Sequence, residues 1–586
     1  MKKQNTGRII VMVFLASMFF SAISAQNSLL YEVSLEKQIE LSNKVIEGKV
    51  IAKKCVWNNT RTLIYTVNLV EVYKSFKGSS PDYIDVITLG GKVGNYSLEV
   101  CPELKFTKGD VGIFMLKESI ADISSNTTTV NKQFEVVSET QGFYNYILKD
   151  DKAINPFSAY DGISQNLHQK IQSISSEEII ENKDFYVKQS LDYSVSNNAG
   201  SASISSISPN TASAGTKTVL TITGSGFGSS MGTVSFKNAD DGGATYVDAL
   251  SSEMKSWSED VIEVYIPYQA GTGTIRITNA SSGIQESDEE LKITFAQSNN
   301  IRDGNALLTN LVDINTQGGY TWHMFTDFYA NTKAKESFTR AFNTWKCYSN
   351  VNWKLGETTS NDVTALDGEN VIRFDNGDEL PEGSLGRCLS YEYTCDENVA
   401  ILEMDMIVDD TENWNFGPEA PDIDEFDLES VIVHELGHGH QLGHVLDSDD
   451  VMFWGERSGD MKRDLSANDK AGADYVFARS IQAGVCDFGA MTKGACTVSS
   501  IVNQSFADYF KIYPNPASSV LYIENSRHIK LKGVSVFDIT GRKLFAEITE
   551  NYGAIQSIDI SSLSRGVYIL NIISENTSAT KQFFVE

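Results

Sequence analysis

Four of the seven histidines in this 586-residue chain fall within residues 434–444. The run reads Val433-His434-Glu435-Leu436-Gly437-His438-Gly439-His440-Gln441-Leu442-Gly443-His444, and no other segment restricts its own fold as tightly. His434 and His438 stand four apart, so on a helix their rings leave one face and converge. His444 stands six beyond His438, where a continuous helix would carry it away from that face. The chain must therefore bend after the second histidine if the third is to join the first two. Glu435, beside the first histidine, reaches the same point.

Three neutral imidazoles with one open tetrahedral position are the donor set of a catalytic, not a structural, zinc ion. The pattern predicts one Zn2+ held by His434, His438 and His444, with Glu435 as the catalytic base. Zinc lowers the pKa of a bound water to about 7. Glu435 would take that proton and pass it to the leaving amine of a peptide bond. His440 lies between ligand positions and reads as exposed, or as bracing a ligand from behind. His168, His323 and His528 have no partners in sequence and read as structural.

Met452 follows His444 in the segment Asp450-Val451-Met452-Phe453-Trp454. With that methionine, the region from about 318 to 480 resembles the metzincin metallopeptidases, and the short gap after His444 is most similar to the matrixin branch. The likeness takes in the Phe338 to Trp345 helix, the Asp409 to Trp414 stretch and the Leu465 to Asp469 start of a last helix. It implies a zinc metalloendopeptidase in which Met452 packs beneath the metal without binding it. The chain departs from the family pattern at three points. Gln441 stands where the family has glycine at the bend, and tolerates positive φ less easily. Ile407-Val408-Asp409 replaces a His-x-Asp pair, so no second zinc is expected. The cysteine motif of the family's zymogens is absent, and Cys55 or Cys101 could substitute only by giving up a disulfide. Inhibition by an N-terminal domain is thus a hypothesis, which an unprocessed chain as active as a truncated one would refute.

A chain this long needs several cores, since domains run to about 100–200 residues. The N-terminus, with Lys2 and Lys3, the apolar run Ile9 to Ile23 and then Ser24-Ala25, reads as a secretory signal peptide over 1–25, too short to span a membrane. Residues 26–180 carry short β-branched and aromatic runs and predict an all-β domain of unknown role. A Ser, Asn and Ala-rich linker follows over 181–203. The segment 204–296, with Ile207-Ser208-Pro209 and Val219 to Gly228, is similar to an immunoglobulin-like IPT/TIG domain. Residues 300–500 mix helices and strands, an α+β metzincin-like catalytic domain. Residues 510–586 open on Tyr513-Pro514-Asn515-Pro516-Ala517 and end on Phe583-Phe584-Val585. They resemble the C-terminal sorting domain of the type IX secretion system, which implies partnership with that machinery and a secreted or cell-surface destination. The fold class is therefore multidomain, an α+β unit flanked by all-β domains.

With 77 acidic and 48 basic residues the net charge is −29, which repels nucleic acid and anionic lipid. Such a surface could hold Ca2+, although no complete calcium loop occurs. Among the cysteines, Cys388 with Cys395 and Cys486 with Cys496 read as short loop staples, Cys55 with Cys101 as a tie in the first domain, and Cys347 as the odd one. The leading reading is an endopeptidase acting on extracellular proteins or peptides. The alternative is a surface adhesin that keeps the fold without turnover.

Overall fold

The computed structural model describes residues 30–586 apart from 102–103, 124–131, 188–201, 280–282, 378, 497–509, 526–530, 540–541, 552–554 and 575–577. The expected signal peptide, residues 188–201 of the expected linker, and His528 lie outside the described residues. The chain is strand-rich with few helices.

The N-terminal unit is not all-β. Helix α1 (Leu35–Leu41) is capped by Ser34, whose side chain accepts from Lys37 N–H, and packs with helix α2 (His168–Ser175) against the sheet through Leu35, Ile39, Leu167 and Ile171. Both helices are too short to show a periodic pattern in sequence. Strands β1 (Lys44–Trp57) and β2 (Ile64–Lys77) form a long antiparallel pair, and β1 also pairs through Lys44 to Lys49 with the strand Val111–Glu118, which closes the sheet on itself. Strands β3 (Gly91–Val93) and β4 (Tyr96–Cys101) leave that sheet and join another.

The next unit is built on two sheets around Leu220, Ile222, Val234, Phe236 and Ile277. Among its strands are β5 (Thr233–Asn238) and β6 (Gly283–Gln297), and the end of β6 pairs with Leu442–Gly443 of the residues that follow. One continuous apolar cluster runs from this unit through Ala296, Leu442 and Val445 to Trp345 and Met452, so the two units share a core.

The third unit holds a sheet of β7 (Tyr320–Met324), β8 (Trp353–Leu355), β9 (Asn370–Phe374), β10 (Gly386–Cys395) and β11 (Asn398–Val408), in the spatial order β8-β7-β9-β11-β10. β10 alone runs antiparallel to its neighbour β11. β4 covers the outer edge of β10: Cys101 stands opposite Cys388 and Tyr96 opposite Tyr393. Helix α3 (Thr332–Ser349) starts at Asn331, whose side chain accepts from Ala334 N–H, and buries Phe338, Ala341, Phe342 and Trp345 at helical spacing. Helix α4 (Leu428–Gly439) is capped by Asp427 and buried at every position. Strand β12 (Leu442–Gly443) follows, and helix α5 (Ala467–Ser480) opens with a capping box of Ser466 and Asp469. The C-terminal strands close their own core around Leu521, Val536, Leu570 and Phe583.

The expected cysteine pairs are corrected. The disulfides are Cys347–Cys496 and Cys395–Cys486, and Cys55, Cys101 and Cys388 are free thiols. Cys388 and Cys395 both lie on β10, where seven residues of extended chain span about 23 Å, far beyond disulfide reach.

Candidate metal centre

Helix α4 and the bend after it bring His434, His438 and His444 together, their ring centroids 4.6, 4.8 and 5.3 Å apart. His434 Nδ1 lies 2.7 Å from the Val451 carbonyl and His438 Nδ1 lies 2.9 Å from the Leu442 carbonyl. A carbonyl can only accept, so both Nδ1 atoms carry the proton and both Nε2 atoms are bare lone pairs. Those two Nε2 atoms face each other at 2.9 Å. His444 Nδ1 lies 3.0 Å from Asp240 Oδ1. Burial opposes charge on Asp240, but its bond with His444 outweighs that and holds the carboxyl at about 2. This carboxylate also only accepts, so His444 Nδ1 carries a proton and Nε2 is the nitrogen left to face the other two rings. Burial keeps His434 and His438 neutral, the latter with its pKa lowered to about 3.

Two bare nitrogens 2.9 Å apart repel unless a cation lies between them, and with His444 beside them the three imidazoles are the donor chemistry of zinc. A fourth donor is present. Cys101 Sγ lies 3.9 Å from His444 Nε2, and ligand atoms of Cys101, His438 and His444 all fall within 4.8 Å of one another. In a tetrahedral zinc site, bonds of about 2.1 Å to nitrogen and 2.3 Å to sulfur set those donors about 3.6 Å apart. The residues present fit the ion.

Glu435 is fully buried, and its carboxylate has no side-chain partner among the described residues; the Cys388 backbone is the polar group beside it. Burial raises its pKa well above the usual carboxylate range, against the pull of Arg387 and the Cys388 backbone.

The bend forms at Gln441, which takes φ +67°. Its carbonyl accepts from Ser298 N–H at 3.0 Å and its side chain donates to Ser390 Oγ at 3.2 Å, contacts that offset the cost of the left-handed backbone. Met452 lies beneath the site, its sulfur so close to Gly437 that a Cβ there would come within 2.2 Å of it. Asp469 fixes that turn by accepting from Val451 N–H at 2.9 Å and Met452 N–H at 3.1 Å.

His440 is not exposed. It is fully buried between Trp345 and Trp353, bonded to Ser349 Oγ at 3.0 Å, its pKa lowered by burial to about 4. His168 pairs with Tyr146 OH at 2.7 Å and His323 Nδ1 donates to the Glu357 carbonyl at 2.8 Å; neither lies at the site. In the region of Ile407 to Asp410, Asp375, Asp409 and Asp410 bring three carboxylates together. β4 leaves a cavity of only about 40 Å³ beside Cys101, Asp240, His438 and His444. A larger cavity of about 360 Å³, between the N-terminal unit and the sheet, contains no histidine.

Sequence reasoning missed Asp240 and Asp469. Asp469 was findable as the fourth residue of Ser466-Ala467-Asn468-Asp469, a capping pattern. Asp240 gave only the weak signal of an acidic turn, Asp240-Asp241-Gly242-Gly243, after a strand.

Residues 316–478 match the matrixin family model. The chain carries a matrixin domain. Residues 202–293 match the IPT/TIG domain and residues 511–586 the secretion system C-terminal sorting domain. The sorting domain directs the protein out of the cell, to the surface or the medium. Among the described residues no helix is long and apolar enough to cross a membrane. The matrixin region is similar to metalloendoproteinase 2-MMP of Arabidopsis thaliana, 32% identical over 154 residues, which is 25% of this chain and 37% of the relative. Metalloendoproteinase 5-MMP of Arabidopsis thaliana is 28% identical over 155 residues, 25% of this chain and 39% of the relative. The chain thus spans well under half the length of these relatives. A biofilm associated protein BSP domain aligns over 92% of this chain and 81% of that one at 9% identity, with a TM-score of 0.19, too low to read a shared fold.

Proposed function

We propose that this chain is a secreted zinc metalloendopeptidase that its own N-terminal unit keeps latent. His434, His438 and His444 hold one zinc ion, and Glu435 is the general base. The observation that carries this is the clustering of the three imidazole rings, two of them with bare Nε2 atoms 2.9 Å apart, next in sequence to the buried carboxylate of Glu435. When bound, zinc supplies an acidified water and polarises a carbonyl oxygen. Glu435 receives the proton from the attacking water and delivers it to the departing amine. The carbonyls of Val451 and Leu442 keep two of the imidazoles in the tautomer that presents Nε2.

Strand β10 offers a peptide the pairing that β4 now takes, so an extended substrate binds by adding a strand in its place. Cys101 ends that competing strand, and its sulfur, 3.9 Å from His444 Nε2, would serve as the fourth donor to the ion. The substrates are extracellular proteins or peptides, and the type IX machinery is the export partner. The division into units at 26–180, 204–296, 300–500 and 510–586 belongs to the same proposal, with β3 and β4 handed to the catalytic sheet.

The test is casein cleavage by the full chain carrying C101A, with and without a zinc chelator, beside the same chain carrying E435A as well. Chelator-sensitive cleavage by the first, and one bound zinc without cleavage in the second, is the expected result. One bound zinc and no cleavage in both, even after the N-terminal unit is cut away, would favour an adhesin that has kept the fold.

A further inference from the structure

We propose that Asp240, supplied by the IPT/TIG domain, positions the third metal ligand, which makes that domain part of the metal centre. This rests on the zinc peptidase reading above. His434 and His438 are each oriented by a backbone carbonyl of the matrixin domain itself. His444 is oriented by a charged side chain from another domain, 204 residues away in sequence, at 3.0 Å.

The carboxylate is itself fixed. Asp240 Oδ2 accepts from Gln269 Nε2 at 2.8 Å, and Asp240 N–H donates to Asn238 Oδ1 at 3.2 Å, where Asn238 caps the short turn Ala239–Asp241. The next residue, Gly242, lies against the Trp454 ring so closely that a Cβ there would stand 2.3 Å from it. The backbone around His444 rests on the same domain: β12 pairs with the end of β6 through Gly443 with Ala296 and Leu442 with Gln297. Both the chain that carries His444 and the ring's other nitrogen are therefore held from outside the matrixin domain. A carboxylate on the far nitrogen of a liganding imidazole fixes its tautomer and raises its basicity, and losing one typically costs 10- to 100-fold in metal affinity.

The experiment measures the zinc dissociation constant of the full chain by competition with a chromogenic chelator, for wild type, D240N, D240E and Q269A. The absorption spectrum of the cobalt-substituted proteins is recorded beside it. Asn keeps the size and removes the charge, so D240N should weaken zinc about 10- to 100-fold and shift the cobalt bands. D240E should recover most of the affinity. Q269A, which removes only the support beneath Asp240, should give a smaller loss in the same direction. Equal zinc affinity in D240N and wild type overturns the inference and leaves the peptidase reading standing. A wild-type chain that holds no zinc overturns both.

Discussion

The sulfur of Cys101 lies 3.9 Å from Nε2 of His444, across 343 residues of sequence, at the end of a strand paired along β10 from Tyr96 to Cys101. The thiol and the strand obstruct two different needs of a peptidase, the open metal position and the substrate edge. Replacing Cys101 with Ala removes the first obstruction and leaves β4 paired. The intact C101A chain should hydrolyse an unstructured protein at least about tenfold faster than the intact wild type, while staying slower than a chain from which the N-terminal unit has been cut. Equal rates for intact wild type and C101A would mean the thiol does not restrain the site.

The free state of Cys101 depends on a disulfide pattern that local spacing does not suggest. Cys347 ties helix α3 to the segment after residue 490, and Cys395 ties the end of β10 to Cys486. Peptide mapping without reductant should recover those two cross-links, and alkylation after denaturation should label Cys55, Cys101 and Cys388. A Cys55–Cys101 cross-linked peptide would contradict both the pairing and the restraint.

The parts of the site that were legible in sequence are those set by helical period and by one charged neighbour. Spacings of four between His434 and His438, and of three, one and three along Phe338, Ala341, Phe342 and Trp345, are local geometry, and both helices form where that period predicts. What was not legible depends on chain that returns from far away. Gln441 looked unsuited to a positive φ, yet its carbonyl accepts from Ser298 and its side chain donates to Ser390, partners that no local pattern names. Asp240 and β4 come to the site through sheet pairing at large sequence separation, which leaves no trace in periodicity. Helix α4 is buried all round, so it too lacks the amphipathic stripe that would have announced how deeply the histidines lie.

The docking of β4 should depend on pH through Glu392. This residue of β10 is buried, and Asn300 bridges its carboxylate to Ser97 on β4. Burial, then the charge of Glu99, raises its pKa from 4.5 to about 7, against the pull of Asn300, Lys105 and Lys92. A carboxyl raised in the folded state favours that state while protonated, so its contribution is full below about 4.5 and is lost as pH rises through about 7. Hydrogen exchange of the β4 amides, corrected for the intrinsic effect of pH, should show less protection at pH 8 than at pH 5.5. In E392Q that difference should shrink. An unchanged difference would assign the pH dependence to another group.

Gly437 offers a test in which packing and helix propensity predict opposite signs. In an exposed helix interior, Gly to Ala stabilises by about 0.5–1 kcal/mol, because glycine loses the most backbone freedom on folding. Gly437 lies on α4 between the first two histidines, and a Cβ there would stand 2.2 Å from Met452 Sδ and 3.0 Å from Trp345 Cζ2. Met452 is buried, so its sulfur can retreat only into packed neighbours or by moving the turn, held by Asp469, whose Val451 carbonyl orients His434. Overpacking of this kind costs about 1–3 kcal/mol. G437A should therefore lower stability in chemical denaturation, and it should weaken zinc because the displaced turn carries the acceptor of His434 Nδ1. A G437A chain more stable than wild type would show that Met452 moves freely, and that the methionine does not set the floor of the site.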